Sequence, residues 1–151
     1  MQIVIASDHA GYALKQELVS YLRDLKYDVK DLGTHSEDSV DYPDYAEAVG
    51  SAISKGKADR GIAICGSGVG VSVAANKIPG VRAAVCHDMY SAHRGVEHDD
   101  MNVLVLGPRV IGVALAKDLA ATFLKAKFFK EPRHGRRLKK VIDLENKYRR
   151  L

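Results

Sequence analysis

Gly61-Ile62-Ala63-Ile64-Cys65-Gly66-Ser67-Gly68-Val69-Gly70 is the stretch whose reading decides the fold. Its first half is a short apolar run of the kind that forms a buried strand. Its second half is a glycine loop feeding a helical segment, Val69 to Asn76, which Pro79-Gly80 breaks. The same alternation extends in both directions. Upstream, residues 2–6 are apolar, Leu14, Leu18, Leu22 and Leu25 recur at helical spacing, and Val29 to Leu32 is a second short run closed by Gly33. A polar loop, Thr34 to Asp41, leads to Pro43, which suits a helix start. Tyr45, Ala48, Val49, Ala52 and Ile53 then share one helix face. Downstream, Val81 to Cys86 and Val103 to Leu106 read as strands and Met89 to Val96 as a helix. Ile111, Leu115, Leu119 and Phe123 mark another helix, and a last one is expected from about Gly135 to Tyr148. Short all-apolar strands alternating with amphipathic helices predict a parallel sheet covered on both faces. The expectation is a single domain over residues 1–151. It is a doubly wound, Rossmann-like α/β/α sandwich with five parallel strands and an extra C-terminal helix.

The composition bounds the function. The 151 residues are 46% hydrophobic and 28% charged, which excludes a disordered or fibrous chain. Cys65 and Cys86 form no C-x-x-C pair, so neither a disulfide scaffold nor a structural zinc site is expected. No histidine pair has metal-binding spacing with a third ligand, and no metal or cofactor is predicted. No apolar run reaches the roughly 20 residues of a membrane span. The N-terminus lacks a basic region before its apolar run, so the expected compartment is the cytoplasm. Net charge is +4, unevenly placed. Residues 126–151 hold ten Lys/Arg and three Asp/Glu. That tail admits a nucleic-acid reading, but Leu138, Val141 and Ile142 recur at helical spacing, and cations on a solvated helix face are the commoner case. A small anionic ligand is the economical use of such charges, and no nucleic-acid partner is expected.

In parallel α/β sheets ligands sit at the carboxyl ends of the strands. Those ends carry Ser7-Asp8-His9-Ala10-Gly11, then Asp41-Tyr42-Pro43, Cys65 to Gly70, His87-Asp88 and Gly107-Pro108-Arg109. Gly66, Gly68 and Gly70 free backbone N–H groups to face an anion. The dinucleotide fingerprint is matched only in part, because the third glycine comes one place early, although Asp88 lies at a suitable distance. The Walker A pattern is absent. Cys65 beside several N–H groups would have its thiolate favoured and could act as base or nucleophile; the plain alternative is a small buried residue ending a strand. His98 falls in a polar junction, Gly95 to Asn102, between a helix and the fifth strand. Arg133-His134-Gly135-Arg136-Arg137 places cations at a helix start, where the dipole disfavours them unless an anion binds.

Taken in order, these segments resemble the type B ribose-5-phosphate isomerase family, which also contains the galactose-6-phosphate isomerase subunits. The resemblance rests on Ser7 to Gly11, Asp41-Tyr42-Pro43, Ile64 to Gly70 with Ala74-Ala75-Asn76-Lys77, His98 to Val103, Gly107 to Val110, and Arg133-His134-x-x-Arg137. It implies an aldose–ketose isomerase for a phosphosugar, without metal or cofactor. It further implies His98 in ring opening, Cys65 as base at C2 and C1, and Ser67 moving protons between O1 and O2. The N–H groups of Gly66, Ser67, Gly68, Val69 and Gly70 would stabilise the oxyanion. Asp8, His9 and Tyr42 would contact the sugar, and Arg109, Arg133 and Arg137 the substrate or its phosphate. Asp99 stands where the family commonly has Asn, and Arg136 competes with Arg137. A homodimer or homotetramer with a shared site is implied, with ribose 5-phosphate preferred over six-carbon phosphosugars. A nucleotide-binding module without chemistry is the rival reading.

Overall fold

The computed structural model describes residues 1–149. Its elements in chain order are β1 (Gln2–Ser7), α1 (Tyr12–Asp24), β2 (Asp28–Asp31), α2 (Tyr42–Ser54), β3 (Arg60–Ile64) and α3 (Val69–Ala75). Then follow β4 (Ala83–Val85), α4 (Met89–Asp99), β5 (Val103–Leu106), α5 (Val113–Lys125) and α6 (Pro132–Tyr148). The five strands form one parallel sheet in the order β2-β1-β3-β5-β4. Successive side chains on a strand point to opposite faces, and each central strand is apolar on both. Ile3, Ile5, Ile62, Ile64, Leu104 and Leu106 pack with α1, α4 and α5. Val4, Ala6, Ala63, Cys65, Val103 and Val105 pack with α2 and α3. The expected Rossmann-like sandwich is therefore the observed one.

The differences have local causes. β4 is shorter than the expected strand Val81 to Cys86 and keeps three paired residues, because it is an edge strand with one neighbour. The Asn76 amide instead takes both backbone groups of Ala83, donating to its carbonyl and accepting its N–H, each at 2.8 Å. α4 runs on past Val96 to Asp99 and stops where Asp100 turns left-handed (φ 50°), with the Met101 N–H returning to the Gly95 carbonyl. His98 is thus in the last turn of a helix and not in a loop. α6 begins at Pro132, before the expected Gly135, because proline is accepted in a first helical turn. Arg133 there pairs with Glu131 at 3.2 Å, which offsets the unfavourable charge. No helix among the described residues is long and apolar enough to cross a membrane. Arg150, counted in the basic tail, lies outside the described residues, as does Leu151.

Candidate active site

The predicted residues fall into two groups at opposite rims of the sheet. At the carboxyl rim, the chain leaves β3 through Cys65, which is buried against the α2/α3 side of the core. Gly66 to Gly68 then turn into α3. Gly68 makes this possible with φ 85°, a left-handed conformation that costs other residues roughly 1–2 kcal/mol. The Ser67 hydroxyl accepts the Val69 N–H at 3.2 Å, so its own proton is free to be donated. The loop after β5 lies directly against this one. A Cβ on Gly107 would collide with the Ser67 backbone, and the Arg109 N–H donates to the Gly66 carbonyl at 3.0 Å. The Arg109 guanidinium covers Gly66, with Nη1 3.2 Å from where a Cβ would stand. No carboxylate among the described residues pairs with Arg109.

The loop after β1 completes this rim. Asp8 is buried, its N–H donates to the Ile64 carbonyl, and its Oδ1 accepts the Gly11 N–H at 3.1 Å. His9 Nδ1 accepts the Val40 N–H at 3.1 Å. In neutral His9 the proton is therefore on Nε2, free to donate. Tyr42, the first residue of α2, lays its ring on Gly70, with ring carbons 2.9 Å from a Cβ there. The rim is braced by Lys15, a residue that sequence reasoning missed. Fully buried on α1, Lys15 Nζ donates to both Asp31 oxygens at 2.7 Å, and Asp31 Oδ1 accepts the Gly33 N–H. The Lys15 charge suggests a solvated position, whereas its spacing to Leu18, Val19 and Leu22 is that of the buried face of α1.

His98, Asp99, Arg133 and Arg137 are elsewhere. α4 starts at the carboxyl rim, capped by Asp88, and its eleven residues carry the chain back over roughly 16 Å. Its end meets the amino rim, where the Asn102 carbonyl accepts the N–H of Gly61 in β3. His98 stacks there on His134 of α6, and Phe129 closes the pair at 6.2 and 6.4 Å. His134 is buried, and that desolvation, with His98 and Arg133 beside it, lowers its pKa. The His134 partner was missed because nothing in the sequence joins α6 to α4; the Arg-His-x-x-Arg motif was the available signal. Arg133, Arg137 and Asp99 are all exposed around this pair. One chain thus carries the predicted residues as two clusters at opposite rims of its sheet.

Asp88 bears on the dinucleotide reading. Its carboxylate accepts the Ser91 N–H at 2.7 Å as the cap of α4, which holds its carboxyl below the ordinary value. It is occupied in holding the helix.

The Ribose/Galactose Isomerase family model matches residues 3–141. The chain belongs to this family. It is 42% identical over 146 residues to ribose-5-phosphate isomerase B of Escherichia coli, covering 97% of each chain. The structure of Clostridium thermocellum ribose-5-phosphate isomerase B superposes with a TM-score of 0.96 at 50% identity, over 99% of this chain and 100% of that one. Ribose-5-phosphate isomerase B from Mycoplasma genitalium, with bound ribulose-5-phosphate, gives 0.91 at 40% identity over 96% of both chains. The protein is accordingly an isomerase.

Proposed function

We propose that the protein interconverts ribose 5-phosphate and ribulose 5-phosphate in a site completed by a second copy of the chain. The observation that carries this reading is the carboxyl-rim cluster, in which Cys65, the Ser67 hydroxyl, loop N–H groups and an Arg109 unpaired among the described residues lie on two loops in direct contact. Relatives of high identity over the whole chain carry the substrate names. A two-fold dimer would bring the amino-rim group of one copy to the carboxyl-rim group of the other, and repeat the arrangement on the far side. Val69 and Val73 on α3, and Val141, Ile142 and Leu144 on α6, are exposed and give such a dimer apolar surface to bury.

The chemistry then divides between the copies. His98 of the second copy transfers a proton from the O1 hydroxyl to the ring oxygen as the C1–O4 bond breaks, giving the open-chain aldehyde. The Cys65 thiolate takes the C2 proton, and the electron pair forms the C1–C2 double bond while charge moves onto O1. Loop N–H donors stabilise that oxyanion, each worth roughly 10²–10³ in rate. Ser67 passes a proton from O2 to O1, and the Cys65 thiol returns its proton to C1, leaving the C2 ketone. Asp8, His9 and Tyr42 hold the sugar hydroxyls. Arg109, with Arg133 and Arg137 of the second copy, meets the phosphate, for which the guanidinium fork gives paired charge-assisted bonds. His134 keeps His98 in place. Asp99, exposed next to His98, lines a cavity with Arg82 and Leu138 and is given no step in this chemistry.

The test is a coupled assay of ribulose 5-phosphate formation with EDTA present. Wild type turns over, and Cys65→Ala loses roughly 10²–10⁴-fold. Full activity in Cys65→Ala, or none in the wild type, would overturn the reading.

A further inference from the structure

His87 has no part in the chemistry above, yet it touches the loop on which that chemistry stands. It follows Cys86 at the carboxyl end of β4, and its Nε2 accepts the Gly107 N–H at 3.0 Å. Gly107 has no room for a side chain because the Ser67 backbone occupies that space. Its carbonyl accepts the N–H groups of Val110 (2.9 Å) and Ile111 (3.2 Å), which closes the turn that carries Arg109. Arg109 N–H in turn ties that turn to the Gly66 carbonyl. A displacement of Gly107 is therefore delivered to Ser67 and Arg109 together.

We propose that His87 is a positioning residue of the isomerase, whose unprotonated Nε2 holds the Gly107–Arg109 turn against the glycine loop carrying Cys65 and Ser67. The inference rests on the proposed function for its kinetic readout only. An acceptor at Nε2 requires the neutral ring with its proton on Nδ1. Protonation would set two N–H groups face to face and release the turn. No carboxylate among the described residues pairs with the ring. The Asp88 carboxylate is turned to the Ser91 N–H, the buried Cys86 thiol faces Met101 Sδ, and Arg109 on the facing turn is a cation. Desolvation lowers the His87 pKa from its ordinary 6.5, so the accepting form prevails at neutral pH.

The experiment compares wild type, His87→Leu and His87→Gln by amide and imidazole NMR over a pH series, alongside kinetics on ribose 5-phosphate. The expected wild-type result is a neutral Nδ1–H tautomer and a Gly107 amide signal that moves as His87 titrates below 6.5. His87→Leu should lose 10- to 100-fold in kcat/KM, about the effect of a sub-ångström to 1 Å misplacement. His87→Gln, whose amide oxygen can accept the same N–H, should restore most of this and leave the Gly107 signal indifferent to pH. A Gly107 signal that ignores His87 in the wild type, or unchanged kcat/KM in His87→Leu, overturns the inference. If the wild type does not isomerise ribose 5-phosphate, the reading of the reaction fails separately. Inorganic phosphate binding at Arg109, read in the same spectra, then replaces turnover, and equal binding by His87→Leu overturns the positioning role.

Discussion

His98 and His134 stack with ring centroids 4.4 Å apart and planes 10° from parallel, at the end of α4 remote from Cys65. This pair gives the protein a pH-dependent element. Burial and neighbouring cations lower the His134 pKa below 6.5, whereas the unfolded chain binds a proton there near its ordinary value. The unfolded state thus takes up more protons, and stability falls as pH drops through 6.5, levelling off below the folded pKa. We expect the midpoint of thermal unfolding to fall between pH 7.5 and pH 5.5, and His134→Phe, which keeps a stacked ring, to show a shallower fall. Equal slopes in the two proteins would refute this assignment.

Three glycines separate backbone strain from site geometry. Gly68 and Gly80 have similar positive φ of 85° and 82°, but a Cβ at Gly80 meets nothing and one at Gly68 meets Val105 at 3.1 Å. Gly80→Ala should cost about 1 kcal/mol by denaturant unfolding and spare activity. Gly68→Ala should cost more, and Gly107→Ala, which presses on Ser67, should remove most activity.

Arg109 predicts a split between binding and turnover. Its charge is unpaired among the described residues and lies over Gly66. Arg109→Ala should raise KM for ribose 5-phosphate by roughly 10-fold or more, with Arg109→Lys between the two because it offers a point charge in place of a fork. An unchanged KM in Arg109→Ala would take Arg109 out of phosphate binding.

The Lys15–Asp31 pair is structural. Lys15→Met leaves Asp31 without its cation beside a buried site and should destabilise by about 3 kcal/mol. Lys15→Met with Asp31→Asn should recover part of that loss, and strict additivity of the two changes would show that the pair is not coupled.

The sandwich was legible because β1, β3 and β5 are apolar on both faces, a pattern only a doubly covered parallel sheet accounts for. Strand order was not, since Ala83-Ala84-Val85 at the edge is as apolar as the central Ala63 and Val105. At the site, strand-end position marks the segments holding Cys65, Ser67 and Arg109, and only the family resemblance attaches roles to them. His98 reads as part of a junction in the sequence because the last turn of α4, Glu97-His98-Asp99, is polar and the Asp100 cap that ends it has no sequence signature. The division into two rims follows from connectivity, because His98 precedes β5 whereas Cys65 follows β3. The Lys15–Asp31 pair and the His98–His134 stack depend on packing between distant segments, so the sequence marks single members, Lys15 by its spacing to Leu18, Val19 and Leu22 and His134 by its arginine motif, without joining them to their partners.

The shared site is tested most directly by mixing two inactive variants, Cys65→Ala and His98→Asn, unfolded together and refolded. If each site draws Cys65 from one copy and His98 from the other, random pairing places an intact combination in about a quarter of all sites. Ribose 5-phosphate isomerisation should return to about a quarter of wild type in the mixture, while each variant refolded alone stays inactive. A mixture no more active than its components would contradict a shared site.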